Sequence, residues 1–222
     1  MARGYSGRVD AVARGLLLEG AERLGVPLDD VLTSRFERYF TLLVRWNARI
    51  QLTTVTGPSE VVERHFLDSM AIVPHLGDAH SLVDVGSGAG FPGLVVALLR
   101  PSLAVTVVES IHKKAAFLEA VKRELALGNV EVVADRMEAV VGSGARFDVA
   151  VSRATFAPPE WVQRGRPLVA AGGRLIAMVV PSEESTVDWL APGWQASFAD
   201  AVVLPPYAPG RALLVLSGRR SG

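Results

Sequence analysis

Cysteine is missing from this 222-residue chain, which excludes disulfides, thiolate metal sites and any mechanism built on a cysteine nucleophile. Lysine is scarce: only Lys113, Lys114 and Lys122 occur, so the cations are nearly all arginine, a side chain suited to planar phosphate contacts. Net charge is missing too, because 23 basic side chains balance 23 acidic ones, and any contact with a polyanion must rest on a local patch. No stretch of about 18 residues is apolar throughout, so no membrane span is expected. The protein is accordingly expected to be soluble and cytoplasmic. The N-terminal Arg3, Arg8 and Arg14 are interrupted by Asp10 and Glu19, which reads as an ordinary helix and not as a targeting segment. His65, His75, His80 and His112 show no metal-ligand spacing, and no metal is expected.

Half of the chain is hydrophobic, enough for a substantial core in one domain with a small extension. Residues 8–24 and 30–47 have helical periodicity, broken by Gly25 and Pro27, and a third helix is expected after Pro58. From Ser81 the pattern alternates, with strands expected at 82–85, 104–109, 130–134, 147–151 and 174–180 and helices at 91–99, 112–126, 136–140, 159–169 and 183–190. Two last strands, 195–204 and 211–217, read as an edge hairpin with Pro205, Pro206, Pro209 and Gly210 in its connection. Such alternation predicts an α/β fold: a Rossmann-like, mostly parallel seven-stranded sheet with helices on both faces. Residues 1–75 would be an N-terminal helical extension packed on it, and residues 76–222 the cofactor-binding domain.

The segment Ser81–Gly93, SLVDVGSGAGFPG, carries a strand straight into glycines at alternate positions and then into a helix. Gly86, Gly88 and Gly90 permit backbone angles and close approaches that a Cβ would block, and the helix N-terminus offers unpaired N–H groups to a polar ligand. Two readings compete. Gly88, Gly90 and Gly93 satisfy the spacing of dinucleotide-binding loops, whereas Asp84 before Gly86, Gly88 and Gly90 looks like the first motif of S-adenosylmethionine (AdoMet) methyltransferases. A carboxylate at the strand end suits the cationic part of AdoMet and would repel a pyrophosphate, which favours the second reading.

In such a sheet the ligand groups belong at the C-terminal ends of the strands. Glu109 ends the second strand, where it can accept hydrogen bonds from both ribose hydroxyls or simply cap the next helix. Asp135, Arg136, Met137 and Glu138 follow the third strand, beside the adenine of a nucleotide cofactor; Glu138 could equally be a solvated helix carboxylate. Ser152 and Arg153 follow the fourth strand, next to where a transferable methyl would point. Arg153 reads either as a cofactor or substrate contact or as an ion-pair partner of Asp84 or Glu109. Arg35, Arg38, Arg45 and Arg49 share one sector of the second helix, opposite Phe36, Tyr39, Phe40, Leu43 and Ile50. That sector is either a solvated face or a phosphate-tracking patch that supplements Lys113 and Lys114. Leu204-Pro205-Pro206-Tyr207 imitates a motif of exocyclic-amine methyltransferases but lacks its Asn or Asp, and reads as a hairpin loop.

Taken in order, Trp46-Asn47 with Leu52-Thr53, Arg64-His65-Phe66-Leu67-Asp68-Ser69, Asp84 through Gly93, Lys113-Lys114 with Phe117-Leu118, Asn129-Val130, Arg136-Met137-Glu138, and Phe147-Asp148 with Ser152-Arg153-Ala154 give the chain a broad resemblance to the RsmG (GidB) methyltransferases. That resemblance implies AdoMet-dependent methylation of guanine N7 in bacterial 16S rRNA, with either naked rRNA or an assembling small subunit as the substrate; a monomer is expected. It also implies AdoMet contacts at Gly86, Phe91, Met137, Glu138 and Arg153, to which the loop reading adds Asp84, Ser87, Gly88, Gly90 and Glu109. Arg45, Arg64, His65, Lys113 and Lys114 are the candidate substrate contacts, and Arg153 the orienting residue of a reaction that needs no general base. Three departures from the family pattern stand out: Gln51 in place of Asn, Thr155-Phe156 after Ser-Arg-Ala, and Met178-Val179-Val180 where a lysine and glycine are usual. They leave open a diverged methyltransferase for another acceptor, or an AdoMet- and RNA-binding paralogue without turnover.

Overall fold

The computed structural model describes residues 9–179, 198–203 and 212–218. Before the first strand come α1 (Ala11–Arg23) and α2 (Asp30–Asn47), each begun by an aspartate whose side chain accepts from a backbone N–H of the first turn: Asp10 from Ala13 and Asp29 from Leu32. A third helical stretch is composite. It starts as α3 (Pro58–Val61), widens into a π-helical turn over Val62–Leu67, and closes as α4 (Asp68–Met70), followed by a 3₁₀ turn at Val73–His75.

The alternation then runs as β1 (Ser81–Val85), α5 (Gly93–Leu99), β2 (Ala104–Val108), α6 (His112–Glu124), β3 (Val130–Val133), α7 (Met137–Gly142), β4 (Phe147–Arg153), α8 (Pro158–Gly165), β5 (Val169–Val179), β6 (Phe198–Val203) and β7 (Ala212–Gly218). The seven strands lie in the order β3-β2-β1-β4-β5-β7-β6, parallel through β5, with β7 antiparallel to both β5 and β6. This is the Rossmann-like sheet expected, closed at one edge by the antiparallel pair. The helix expected at 183–190 and the prolines of the last connection fall outside the described residues, as does the Leu204–Tyr207 decoy.

Side-chain alternation along β1 sorts the two faces of the sheet. Leu82 belongs to a cluster with Leu17, Phe36, Tyr39, Phe40, Phe66 and Phe117, so the N-terminal helices and this side of the sheet share one core. Val83 and Val85 belong to a second cluster with Met137, Val140, Trp161 and Leu175. Asp148 pins the starts of β1 and β4 together. Its Oδ2 accepts from the His80 and Ser81 N–H groups at 2.8 and 3.0 Å and from the Ser81 hydroxyl at 3.1 Å. Burial alone would raise this carboxyl, but those donors prevail and hold it below the usual carboxylate range. Asn129 works similarly, its side-chain amide facing the carbonyls of Ala97, Arg100 and Leu103 at 2.9–3.2 Å.

Candidate active site

The glycine loop follows β1 at the C-terminal edge of the parallel strands. Gly86, Gly88 and Gly90 all have positive φ, 72°, 57° and 89°, angles that L side chains rarely adopt. Space is also restricted: a Cβ on Gly86 would run into the Thr155 side chain, and one on Gly90 into the Tyr39 hydroxyl and Leu94. The loop is tied down from beneath, with Gly86 and Ser87 N–H both donating to the Val108 carbonyl at 2.9 and 3.1 Å.

Beside it opens a cleft of about 280 Å³, lined by Val85, Gly86, Val108, Ser110, Asp135–Glu138, Thr155, Phe156 and Arg164. Its volume lies near the lower end of small-molecule sites. Its walls are the ends of β1, β2 and β4, the start of α7 and one face of α8, and three of the candidates, Gly86, Met137 and Glu138, are brought together there. Phe156 stacks on Trp161 with rings 5.8 Å apart, and the Arg164 guanidinium stands 5.4 Å over Phe156. Arg164 also bridges the mouth, 3.1 Å from Glu138 and 2.9 Å from Glu160.

The two acidic candidates behave differently from one another. Glu109 is nearly buried, with Oε2 accepting from Gly88 N–H and Oε1 from Ile111 N–H, both at 2.9 Å. It thus links the loop to the start of α6, and each oxygen keeps a further lone pair for a hydroxyl. Asp84 corrects an expectation. Its carboxylate does not face the cleft: as Leu82 does, it points to the face covered by the N-terminal helices and α5, fully buried, and Oδ2 accepts from Gly93 N–H at 2.8 Å at the start of α5. The Ser87 hydroxyl donates to the Asp84 carbonyl at 3.0 Å, and Oδ1 has no hydrogen-bond partner among the described residues. Burial pushes this carboxyl up to about 6, against the lowering effects of Gly93, Ser87 and Arg153.

Arg153 also differs from expectation: its ion-pair partner is neither Asp84 nor Glu109. It reaches back to the π-helical stretch, donating to the Arg64 carbonyl at 2.9 Å and to Asp68 Oδ2 at 3.0 Å, with side chains only 16 % and 3 % exposed. The wider π turn lets the Arg64 carbonyl and the Asp68 carboxylate converge on one guanidinium. His65 stands alongside, its Nε2 2.9 Å from the Thr53 hydroxyl and its Nδ1 2.9 Å from the Arg64 carbonyl. Its ring stacks on Phe91 at 4.6 Å, and Arg153 lies 5.4 Å over the same Phe91 ring. Phe91 is therefore a buried hub between the two halves of the motif set, not a cleft wall. Asn47 serves structure too: it receives Leu52 and Thr53 N–H and donates to the Thr53 carbonyl, shaping the turn that presents Thr53 to His65.

Of the candidate RNA contacts, Arg45, Arg49, Arg64 and Lys113 are exposed and Lys114 is half-buried. The arginine sector of α2 divides. Arg35 donates to the Leu125 carbonyl and Arg38 to the Glu124 carbonyl and carboxylate, so these two cap the end of α6. Among the departures from the family pattern, Gln51 is exposed, Thr155 lies over Gly86, and Met178 pairs with Arg153 and Leu213 across the sheet, while Val180 is outside the described residues. Among the described residues no cluster of His, Asp or Glu could hold a metal, and no helix is long and apolar enough to cross a membrane. Sequence reading assigned Tyr39 only to the packed sector of α2 and Thr53 only to the motif set, and it missed Arg164, whose segment carries no distinguishing pattern.

Residues 32–197 match the family described as rRNA small subunit methyltransferase G (GidB). The chain is 45% identical over 179 residues to the ribosomal RNA small subunit methyltransferase G of Burkholderia pseudomallei strain 1106a, covering 77% of each. It is 44% identical, over 77% of its own length and 78% of the relative, to the protein of the same name from Burkholderia mallei strain NCTC 10229. Among solved structures it is similar in fold to a methyltransferase from Geobacter sulfurreducens, with TM-score 0.58, 16% identity and coverage of 97% of this chain and 100% of that one.

Proposed function

The chain belongs to the rRNA small subunit methyltransferase G (RsmG, GidB) family, and on that premise we propose that it transfers a methyl group from AdoMet to N7 of one guanine in 16S rRNA. The observation that carries this reading is the meeting of Gly86, Met137 and Glu138 in one cleft beside a glycine loop anchored by Glu109. These residues suit AdoMet. Positive-φ glycines leave backbone accessible, Glu109 keeps acceptor capacity for ribose hydroxyls, and the Phe156 ring and Met137 offer apolar surface to a purine.

When bound, AdoMet supplies a methyl already activated on a sulfonium. Guanine N7 is already a lone-pair nucleophile without a proton, so the protein has no proton to remove and no general base is required. Its work is alignment of nucleophile and methyl, for which effective molarity supplies several kcal/mol. Buried carboxylates nearby make the site tolerant of positive charge. Asp84, Gly86, Ser87, Gly88, Gly90, Phe91, Glu109, Met137 and Glu138 form the cofactor side, Phe91 and Asp84 by holding the loop from behind. Arg153, fixed on Asp68 and the Arg64 carbonyl, orients the cofactor carboxylate or the guanine edge.

Arg45, Arg64, His65, Lys113 and Lys114 make the rRNA side, His65 by fixing the Arg64 backbone. Residues 1–75 act as a helical extension and 76–222 as the catalytic domain, in a cytoplasmic monomer acting on rRNA or the assembling small subunit. The test is transfer of labelled methyl from AdoMet to undermethylated small subunits and to naked 16S rRNA, mapped by the chain cleavage that N7-methylguanine permits. A single labelled guanine supports the reading; AdoMet binding without label on either substrate overturns it.

A further inference from the structure

The N-terminal helices do more than cover the sheet: we infer that Tyr39 of α2 is a positioning residue that sets the conformation of the glycine loop for AdoMet. This rests on the cofactor reading above. The Tyr39 ring is fully buried, and its hydroxyl donates to the Ala89 carbonyl at 2.6 Å, in the middle of the loop. It fills the space that any Cβ on Gly90 would need, so the glycine and the tyrosine are fitted to one another. The ring stacks on Phe91 with centroids 5.4 Å apart and tilted by 18°, so one side chain contacts Ala89, Gly90 and Phe91 in succession.

The charged groups near the hydroxyl are Asp84 and Arg153; burial first and Asp84 second push the phenol well above its usual 10, with Arg153 opposing. The hydroxyl therefore remains a donor across the physiological range. Without it the Ala89 carbonyl, itself buried, loses its partner, and the cheapest repair is to swing the loop toward solvent. Ligand binding must then restore the loop geometry, and that cost appears in cofactor affinity.

Tyr39→Phe keeps the ring and removes the donor. Its expected signature is a KM and Kd for AdoMet raised roughly tenfold, the ratio that about 1.4 kcal/mol corresponds to, with kcat and the KM for rRNA within about twofold of wild type. An AdoMet KM unchanged within about twofold, even with a lowered melting temperature, would reduce Tyr39 to a packing residue and overturn the inference. Wild-type AdoMet binding is measured first: its failure would count against the cofactor reading and not against Tyr39. Should Tyr39→Phe not fold, hydrogen exchange on the wild-type protein decides. AdoMet is expected to slow exchange in residues 86–91 and in the turn of α2 around Tyr39 together, and protection confined to the loop would refute the link.

Discussion

The glycine loop has two sides that differ in kind. Behind it Asp84, Phe91, Tyr39, His65, Asp68 and Arg153 form a closed scaffold of stacked rings and a nearly buried ion pair. In front, Glu138, Thr155, Phe156 and Arg164 line an open cleft whose ion pairs are half exposed. Of the segments that carry the family resemblance, Arg64–Ser69 and Phe91 lie behind the loop, while Arg136–Glu138 line the cleft. Segments of one motif set therefore do different structural work: His65, Asp68 and Phe91 brace the backbone behind the loop, whereas Met137 and Glu138 line the cleft.

Mutations on the two sides should separate stability from affinity. The largest effect is expected from Arg153→Ala, which removes the guanidinium from its nearly buried pair with Asp68. Removing one partner of such a pair costs about 3–5 kcal/mol, read as a lower urea midpoint with unchanged slope, together with loss of turnover. Retention of both stability and turnover would remove Arg153 from scaffold and site alike.

Asp84 comes next and has a pH signature. Its folded carboxyl titrates near 6 against a reference of 3.8, so the native state holds this proton more tightly than the unfolded chain. The associated stability is fully present below about pH 4 and lost as pH rises through about 6, by about 3 kcal/mol at about 1.4 kcal/mol per pH unit. Asp84→Asn should flatten that part of the stability profile; an unchanged profile would show that another group titrates there.

Glu138→Gln and Arg164→Ala probe the open side. Exposed pairs contribute about 0–1 kcal/mol, so denaturation midpoints should hardly move, while AdoMet affinity by calorimetry should weaken several-fold for Glu138→Gln. A large stability loss with affinity intact would reverse the assignment of the two sides. The smallest change is expected on the surface of α2. Arg45→Ala and Arg49→Ala should each lower the salt dependence of rRNA binding by about one unit of slope. Arg35→Ala and Arg38→Ala, which remove caps of α6, should leave that slope alone and cost stability.

The seven strands, their parallel run and the hairpin at the edge were legible because alternating helical and period-two patterns with short connections leave few topologies. The cleft was legible through Gly86 and the residues after β3. What escaped were contacts between distant segments. Arg153 and Asp68 are 85 residues apart, and no local pattern shows that a π turn brings the Arg64 carbonyl to the same guanidinium. Arg35 and Arg38 looked like an RNA-facing sector because periodicity gives a face but not what covers it. The orientation of Asp84 escaped too: it shares the parity of Leu82 and not of Val83 and Val85, but both faces of the sheet are apolar and helix-covered, so parity alone does not tell them apart.

The division of labour is tested most directly by photo-crosslinking methyl-labelled AdoMet to the wild-type protein and mapping the labelled peptides. Label in peptides holding residues 135–138 or 155–164 is the predicted result. Label confined to α2 or to residues 62–70 would contradict the account, placing the ligand on the side described here as scaffold.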